Sequence, residues 1–150
     1  MPPTNIMPAP VKKAVPPPAP KPTGPNVLVV DDNAVIRQIQ RRALAAAGFA
    51  VTEAPDGARA LQLISRDRPA LVLLNLMMMD MDGFKFLDQL RRRSDEADLP
   101  VVVLSGKPLS ELELEYVGAR ANGFVRKTSS ATAEVVALVK QLLLPPSHAK

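Results

Sequence analysis

Five short apolar runs alternate with longer amphipathic stretches from Asn26 onward, and this alternation restricts the fold more than any other feature of the sequence. The runs cover residues 27–30, 50–53, 71–75, 101–104 and 123–126. Four of them are rich in Val or Leu and show little alternation of apolar with polar residues. That pattern is typical of strands that are buried on both faces.

The stretches between these runs have helical periodicity. We expect helices near residues 34–47, 57–65, 83–93, 109–119 and 130–144. Asn33 is placed to cap the first helix and Gly48 to end it, while Pro145 and Pro146 stop the last one. Five strands that alternate with five helices predict an α/β fold with a doubly wound parallel sheet.

The two ends of the chain differ from this pattern. Residues 1–25 hold ten of the sixteen prolines, no acidic residue and three lysines. This composition predicts a disordered, proline-rich basic tail. The tail is either a plain spacer or a second binding segment, which would contact a groove that accepts polyproline II segments. We expect one folded domain over residues 26–144 and a short disordered tail over residues 145–150.

Charge and composition exclude several classes of function. Without the three lysines of the tail, sixteen basic residues stand against fifteen acidic ones, so a nucleic-acid partner is not expected. The arginines near residues 37–42 and 91–93 are interpreted as solvated helix faces. The absence of cysteine excludes disulfides and thiolate metal sites. No apolar run has transmembrane length and no secretory segment is present, which predicts a soluble, cytoplasmic protein without a membrane partner.

Polar side chains follow four of the predicted strands. Asp31 and Asp32 come after the first strand, Asn75 ends the third, Ser105 follows the fourth and Lys127 follows the fifth. Taken singly, each could be a helix cap, a loop hydroxyl or a solvated lysine. The carboxyl ends of parallel strands meet at one edge of the sheet, however, so these side chains are expected together. Carboxylate and amide oxygens suit Mg²⁺, and a hydroxyl with an ammonium group suits phosphoryl oxygens.

Four segments of the sequence carry a family resemblance: VLVVDDN, LVLLNLMMMDMDG, VVVLSG and GFVRK, in this order along residues 26–144. Together they resemble the receiver domain of response regulators, the phosphate-accepting modules of two-component signalling and phosphorelays. The resemblance implies a five-stranded parallel sheet with the flavodoxin-like strand order 2-1-3-4-5 and five helices.

The resemblance also implies roles for single residues. Asp31 and Asp32 would hold Mg²⁺ together with Asn75 and the backbone carbonyl of Met77. Asn75 would stand at the phosphoacceptor position. Two further residues, Ser105 and Lys127, would contact the phosphoryl group, and Ser105 with Phe124 would form the conformational switch.

Three positions depart from the family pattern. Met79 stands where the family usually has proline, so the loop after the third strand is expected to be less rigid. Thr128 follows Lys127 where proline is common, which puts the family's frequent cis peptide bond at that position in doubt. The third departure is Asn75, in place of the acceptor aspartate. Phosphoryl transfer needs a carboxylate oxygen as nucleophile, and a carboxamide does not provide one. We therefore expect no aspartyl phosphate at this position and a weakened Mg²⁺ site.

The sequence thus predicts a non-enzymatic signalling module that acts through protein–protein contacts. The resemblance implies that its docking face is formed by the fourth helix, the fifth strand and the fifth helix. The alternative is a conventional receiver that responds to a histidine kinase and whose acceptor Asp was replaced by Asn. A metal-dependent phosphatase is disfavoured, because the third strand ends in Asn75 instead of an aspartate nucleophile.

Overall fold

A computed structural model describes residues 23–78, 82–93 and 97–144 of the chain. Its strands are β1 (Asn26–Val30), β2 (Ala50–Ala54), β3 (Leu71–Asn75), β4 (Val101–Ser105) and β5 (Gly123–Arg126). Its helices are α1 (Ala34–Ala46), α2 (Gly57–Arg66), α3 (Gly83–Arg92), α4 (Glu111–Arg120) and α5 (Ala131–Leu143). Residues 1–22 of the predicted proline-rich tail, the predicted tail 145–150 and Met79 lie outside the described residues.

The five strands form one parallel sheet in the order β2-β1-β3-β4-β5. This confirms the predicted doubly wound sheet and its strand order. The pairing aligns the strand ends, since Val30 lies beside Leu74, Asn75 beside Leu104 and Ser105 beside Arg126. The residues that follow these ends are therefore brought to one rim.

The core consists of two layers, one on each face of the sheet. Successive residues of a strand point to opposite faces, so a run such as Val27–Leu28–Val29–Val30 serves both layers. Leu28 and Val30 pack with α2, α3 and α4, whereas Val27 and Val29 pack with α1 and α5. Strands with no polar face need helices on both sides of the sheet. This explains the continuous apolar runs in the sequence.

Local signals set the helix ends. The side chain of Asn33 accepts hydrogen bonds from the amides of Val35 and Ile36, and Gly48 follows α1 with a positive φ of 100°, as the sequence predicts. Helix α4 begins at Glu111, two residues later than expected. Ser110 caps it and exchanges side-chain hydrogen bonds with Glu113 in a capping box, and this fixes the start.

The interpretation of residues 91–93 as a solvated face is wrong for two of the three arginines. Arg91 is half-buried and donates a hydrogen bond from Nε to the carbonyl of Arg120 at 2.8 Å. Arg93 donates to the hydroxyl of Ser65 at 2.7 Å. Only Arg92 is exposed. These side chains join α3 to α4 and α2, because a long aliphatic stem can cover apolar surface while its head finds an acceptor.

Helices long and apolar enough to cross a bilayer do not occur in the described part of the chain.

Candidate functional site

The rim at the carboxyl edge of the sheet gathers the polar residues that the sequence singled out. Asp31 follows β1 directly, Asn75 and Ser105 are the last residues of β3 and β4, and Lys127 follows β5. Asp31, Asn75 and Ser105 are buried, with exposed fractions of 3%, 5% and 0%. Buried polar groups need partners, so their hydrogen bonds define what the site can do.

The carboxamide of Asn75 bridges two oxygen atoms. Its Nδ2 donates to Asp31 Oδ1 at 3.2 Å and to the carbonyl oxygen of Met77 at 2.9 Å. The amide of Met77 lies 3.4 Å from Asn75 Oδ1 and donates to it. Rotating the carboxamide by half a turn would bring Oδ1 against two acceptor oxygens, so the surrounding groups fix its orientation.

Asp31 is held by three different neighbours. Besides Asn75, the backbone amide of Asn33 donates to Asp31 Oδ1 at 2.9 Å, and the Lys127 ammonium lies 3.9 Å from Oδ2. Burial nevertheless raises the pKa of Asp31 above its ordinary value of 3.8. The Asn33 amide, Lys127 and Asn75 oppose this shift, while the neighbouring carboxylate of Asp32 adds to it. The charged form of Asp31 is therefore destabilised where it lies.

Ser105 and Lys127 are neighbours on the rim, but the serine hydroxyl points to its own loop. Ser105 Oγ donates to the carbonyl of Lys107 at 3.0 Å and accepts from the amide of Lys107 at 3.3 Å. The amide of Lys127 donates to the carbonyl of Ser105 at 2.8 Å. The two residues are thus fixed side by side through the backbone.

The remaining predicted site residues lie around this centre. Asp32 is exposed on the rim, and Met77 is 46% exposed while its carbonyl faces Asn75. Phe124 in β5 is partly buried against the core layer that α2, α3 and α4 cover. All the predicted site residues are described, and the sheet places Asp31, Asn75, Ser105 and Lys127 at one edge.

One contributor was not foreseen from the sequence. Arg37, interpreted as part of a solvated face, has a side chain only 16% exposed. It donates from a terminal nitrogen to the carbonyl of Asp31 at 2.7 Å and from Nε to Glu53 at 3.1 Å. Arg41 pairs with the same carboxylate at 2.9 Å. These contacts hold the backbone after β1. The signal in the sequence was Glu53, an acidic residue at the end of the second predicted run.

The residues present do not fit a divalent cation in this arrangement. Mg²⁺ needs oxygen lone pairs directed at it, and here an N–H donor lies between the two oxygens, of Asp31 and Met77, expected as ligands. Across the residues that the structure describes, no group of three or more acidic, His or Cys side chains could hold a metal ion. The Asn75 carboxamide makes the contacts that a cation would otherwise supply.

Comparison with known proteins decides the family. A family model described as the response regulator receiver domain matches residues 27–140. The chain belongs to this family. Receiver domains work in two-component signalling, and a Mg²⁺ ion typically binds at their phosphorylation site.

Curated relatives and solved structures agree with this assignment. The chain is 35% identical over 118 residues to the response regulator MprA of Mycobacterium leprae, covering 79% of this chain and 50% of that protein. It is 38% identical over 118 residues to MprA of Mycolicibacterium vanbaalenii, with the same shares. The chain therefore spans about half the length of the curated relatives it matches.

Among solved structures, the chain is similar to the chemotaxis protein CheY4 of Vibrio cholerae, with a TM-score of 0.73 and 27% identity, covering 81% of this chain and 100% of that one. It is also similar to the receiver domain of Francisella response regulator 1452, with a TM-score of 0.71 and 29% identity, covering 80% and 97%. The fold is that of the family.

Proposed function

We propose that this receiver domain transmits a signal through protein–protein contacts without accepting a phosphoryl group at residue 75. The observation that carries the proposal is the position of the Asn75 carboxamide, which bridges Asp31 and the carbonyl of Met77. A neutral amide is not a nucleophile for phosphoryl transfer, and it lacks the negative charge that a carboxylate would contribute to a Mg²⁺ site. The domain has no enzymatic activity in this proposal.

Ser105 and Phe124 form the switch in this proposal. In phosphate-accepting receivers, by resemblance, the serine moves toward the phosphoryl group and the aromatic residue enters the space that it leaves. Here the Ser105 hydroxyl is bonded to Lys107 and no phosphoryl group forms, so packing and partners set the balance of states. The output surface is the face made by α4, β5 and α5, and its occupant is a signalling protein.

The test follows the amide resonances of Ser105 and Phe124 by NMR, with and without Mg²⁺ and a small-molecule phosphodonor. We expect no change in the wild-type chain. The Asn75→Asp variant is the matched control, and its resonances should shift when phosphodonor is added. A shift of both resonances in the wild-type chain, dependent on the phosphodonor, would overturn the proposal.

The other rim residues support a second candidate function. In this candidate the protein is a conventional receiver whose acceptor aspartate was replaced by Asn75. Asp31, Ser105 and Lys127 still lie together, with Lys127 Nζ 3.9 Å from Asp31 Oδ2. In that case a histidine kinase is the partner and the site holds Mg²⁺ once residue 75 is Asp. The codon at position 75 of the native gene distinguishes the two candidates. A cytoplasmic location and the absence of nucleic-acid and membrane partners stay predictions.

A further inference from the structure

A groove of about 410 Å³ runs between the start of α3 and the first half of α4, and none of the rim residues described above lines it. We call it the α3–α4 groove. Its apolar wall is formed by Phe84, Leu112 and Tyr116. Leu112 is 77% exposed, the largest value among the exposed large hydrophobic residues of the described chain. Leu112 extends the apolar surface of the two neighbouring rings, and contiguous exposed apolar surface is what contact sites present.

The aromatic wall is built before any ligand arrives. The Tyr116 hydroxyl donates to the carbonyl of Phe84 at 3.1 Å, and the two rings meet edge to face with centroids 5.6 Å apart. The guanidinium carbon of Arg120 lies 3.6 Å from the centroid of the Tyr116 ring. Rings held in this way need little ordering when a ligand binds, so the contact costs little conformational entropy.

The groove also has a negative border. It is lined by the carboxylates of Asp82, Asp88 and Glu113 and by the ammonium group of Lys85. Asp88 is paired with Arg92 at 2.8 Å, so the acidic border depends mainly on Asp82 and Glu113. Asp82 and Glu113 are fixed by accepting backbone hydrogen bonds at the starts of α3 and α4. A groove with an apolar wall and a fixed acidic border can bind an extended segment that carries apolar and cationic residues and no acidic ones.

The amino-terminal sequence of this chain has that chemistry. Residues 1–22 contain nine prolines, three lysines and no acidic residue. Proline-rich segments in the polyproline II conformation bind grooves lined by aromatic residues, and they lose little entropy in doing so. We propose that the α3–α4 groove binds residues 8–13 of the same chain, PAPVKK, with the prolines on the aromatic wall and Lys12 and Lys13 at the carboxylates of Asp82 and Glu113.

The reach of the chain selects this part of the amino-terminal sequence. The described chain begins at the amino edge of the sheet, before β1, whereas α3 begins at the carboxyl edge. A five-residue strand and two strand spacings are about 17 Å along and about 10 Å across the sheet. The groove lies on the outer side of a helix layer about 10 Å thick, so the direct distance is about 22 Å. Residues 15–22 in polyproline II conformation span about 25 Å, so crossing uses nearly all of them. Residues 8–13 are then the first that can lie in the groove.

The test compares the full chain with a chain that lacks residues 1–13, by NMR and by fluorescence. We expect the deletion to shift the amide resonances of Phe84, Leu112 and Tyr116. Tyr116 is the only tyrosine and the chain has no tryptophan, so its fluorescence reports on the groove alone. Replacing both Lys12 and Lys13 by Glu in the full chain should give the same shifts as the deletion.

Two controls keep this result specific. Lys21→Glu should leave the groove resonances unchanged, because Lys21 lies in the crossing part of the chain. Leu112→Ala should remove the effect of the deletion, whereas Leu114→Ala, at an exposed leucine of the same helix that does not line the groove, should preserve it. A synthetic peptide of residues 6–14 should bind the shortened chain on the order of tenfold more tightly than its Lys12→Glu, Lys13→Glu form.

Three results would overturn the proposal. The first is an unchanged groove spectrum after the deletion. The second is a set of shifts confined to another surface, such as the rim around Asp31. The third is a groove signal that grows with protein concentration, since it would assign the occupant to the tail of a second copy instead of the same chain.

Discussion

Replacing Asn75 by Asp tests the hydrogen bonding and the electrostatics of the site together, because it exchanges a hydrogen-bond donor for a negative charge at almost constant volume. In the folded chain Asn75 Nδ2 lies 3.2 Å from Asp31 Oδ1 and 2.9 Å from the carbonyl of Met77. The substitution places a carboxylate oxygen there, so both hydrogen bonds are lost. Each is worth about 1 kcal/mol.

Repulsion adds to that loss. Two unit charges 3.2 Å apart repel by about 5 kcal/mol at an effective dielectric constant near 20. Rotation of the new side chain, proton uptake by the pair and the ammonium of Lys127 relieve much of this energy. We expect the free energy of unfolding at pH 7 to fall by about 2 kcal/mol in the absence of divalent cations, within the usual range for one substitution.

Magnesium should reverse the effect. A ligand that binds only the folded state stabilises it by about 2.7 kcal/mol at 100 times its dissociation constant. Millimolar Mg²⁺ should therefore restore the Asn75→Asp variant and change the wild-type chain little. The assay is urea denaturation at fixed ionic strength, with Gln62→Glu as control, since this change adds one negative charge at an exposed position of α2 and keeps the side-chain oxygen that accepts from Arg59. Equal gains in both chains, or no loss without Mg²⁺, would refute the reasoning.

Other substitutions test the surroundings of the site by urea denaturation. Gly83→Ala should cost about 2 kcal/mol or more, because the new Cβ would lie 2.7 Å from Leu76 Cα, whereas Gly118→Ala, with nothing within 4 Å, should stabilise by about 0.5–1 kcal/mol. Ser110→Ala should cost about 1 kcal/mol through loss of the α4 cap; an unchanged midpoint would argue against the capping box. Because burial raises the pKa of Asp31, the native state binds its proton more tightly than the unfolded state, and stability falls as pH rises from about 3.8. The stability of the wild-type chain relative to Asp31→Asn should therefore fall between pH 4 and 7, and an increase over this range would contradict the assignment.

The strands were predictable because burial on both faces leaves a simple record in the sequence. The predicted runs 71–75 and 123–126 match β3 and β5, and the other three fall within one residue of their strands. Val and Leu fill the interior of β1, β3 and β4. Helix α4 was less predictable. Leu112 and Leu114 are exposed, so its apolar periodicity is weak, and the capping box of Ser110 sets its start instead.

The composition of the site was predictable, but its hydrogen bonds were not. A parallel sheet brings its strand ends together whatever the loops do, so Asp31, Asn75, Ser105 and Lys127 could be grouped from their positions alone. The donor role of the Asn75 amide depends on which acceptors face it. The hydrogen bonds between Ser105 and Lys107 depend on the backbone geometry of the loop after β4. The burial of Arg37 depends on how α1 packs against the ends of β1 and β2.

The central claim, that residue 75 accepts no phosphoryl group, is tested most directly by the intact mass of the protein after incubation with Mg²⁺ and a small-molecule phosphodonor. The wild-type chain should keep its mass. Asn75→Asp regains a carboxylate nucleophile beside Asp31 and Lys127, so it should gain the mass of one phosphoryl group, labile at alkaline pH. A phosphoryl adduct on the wild-type chain that maps to the rim would contradict the account.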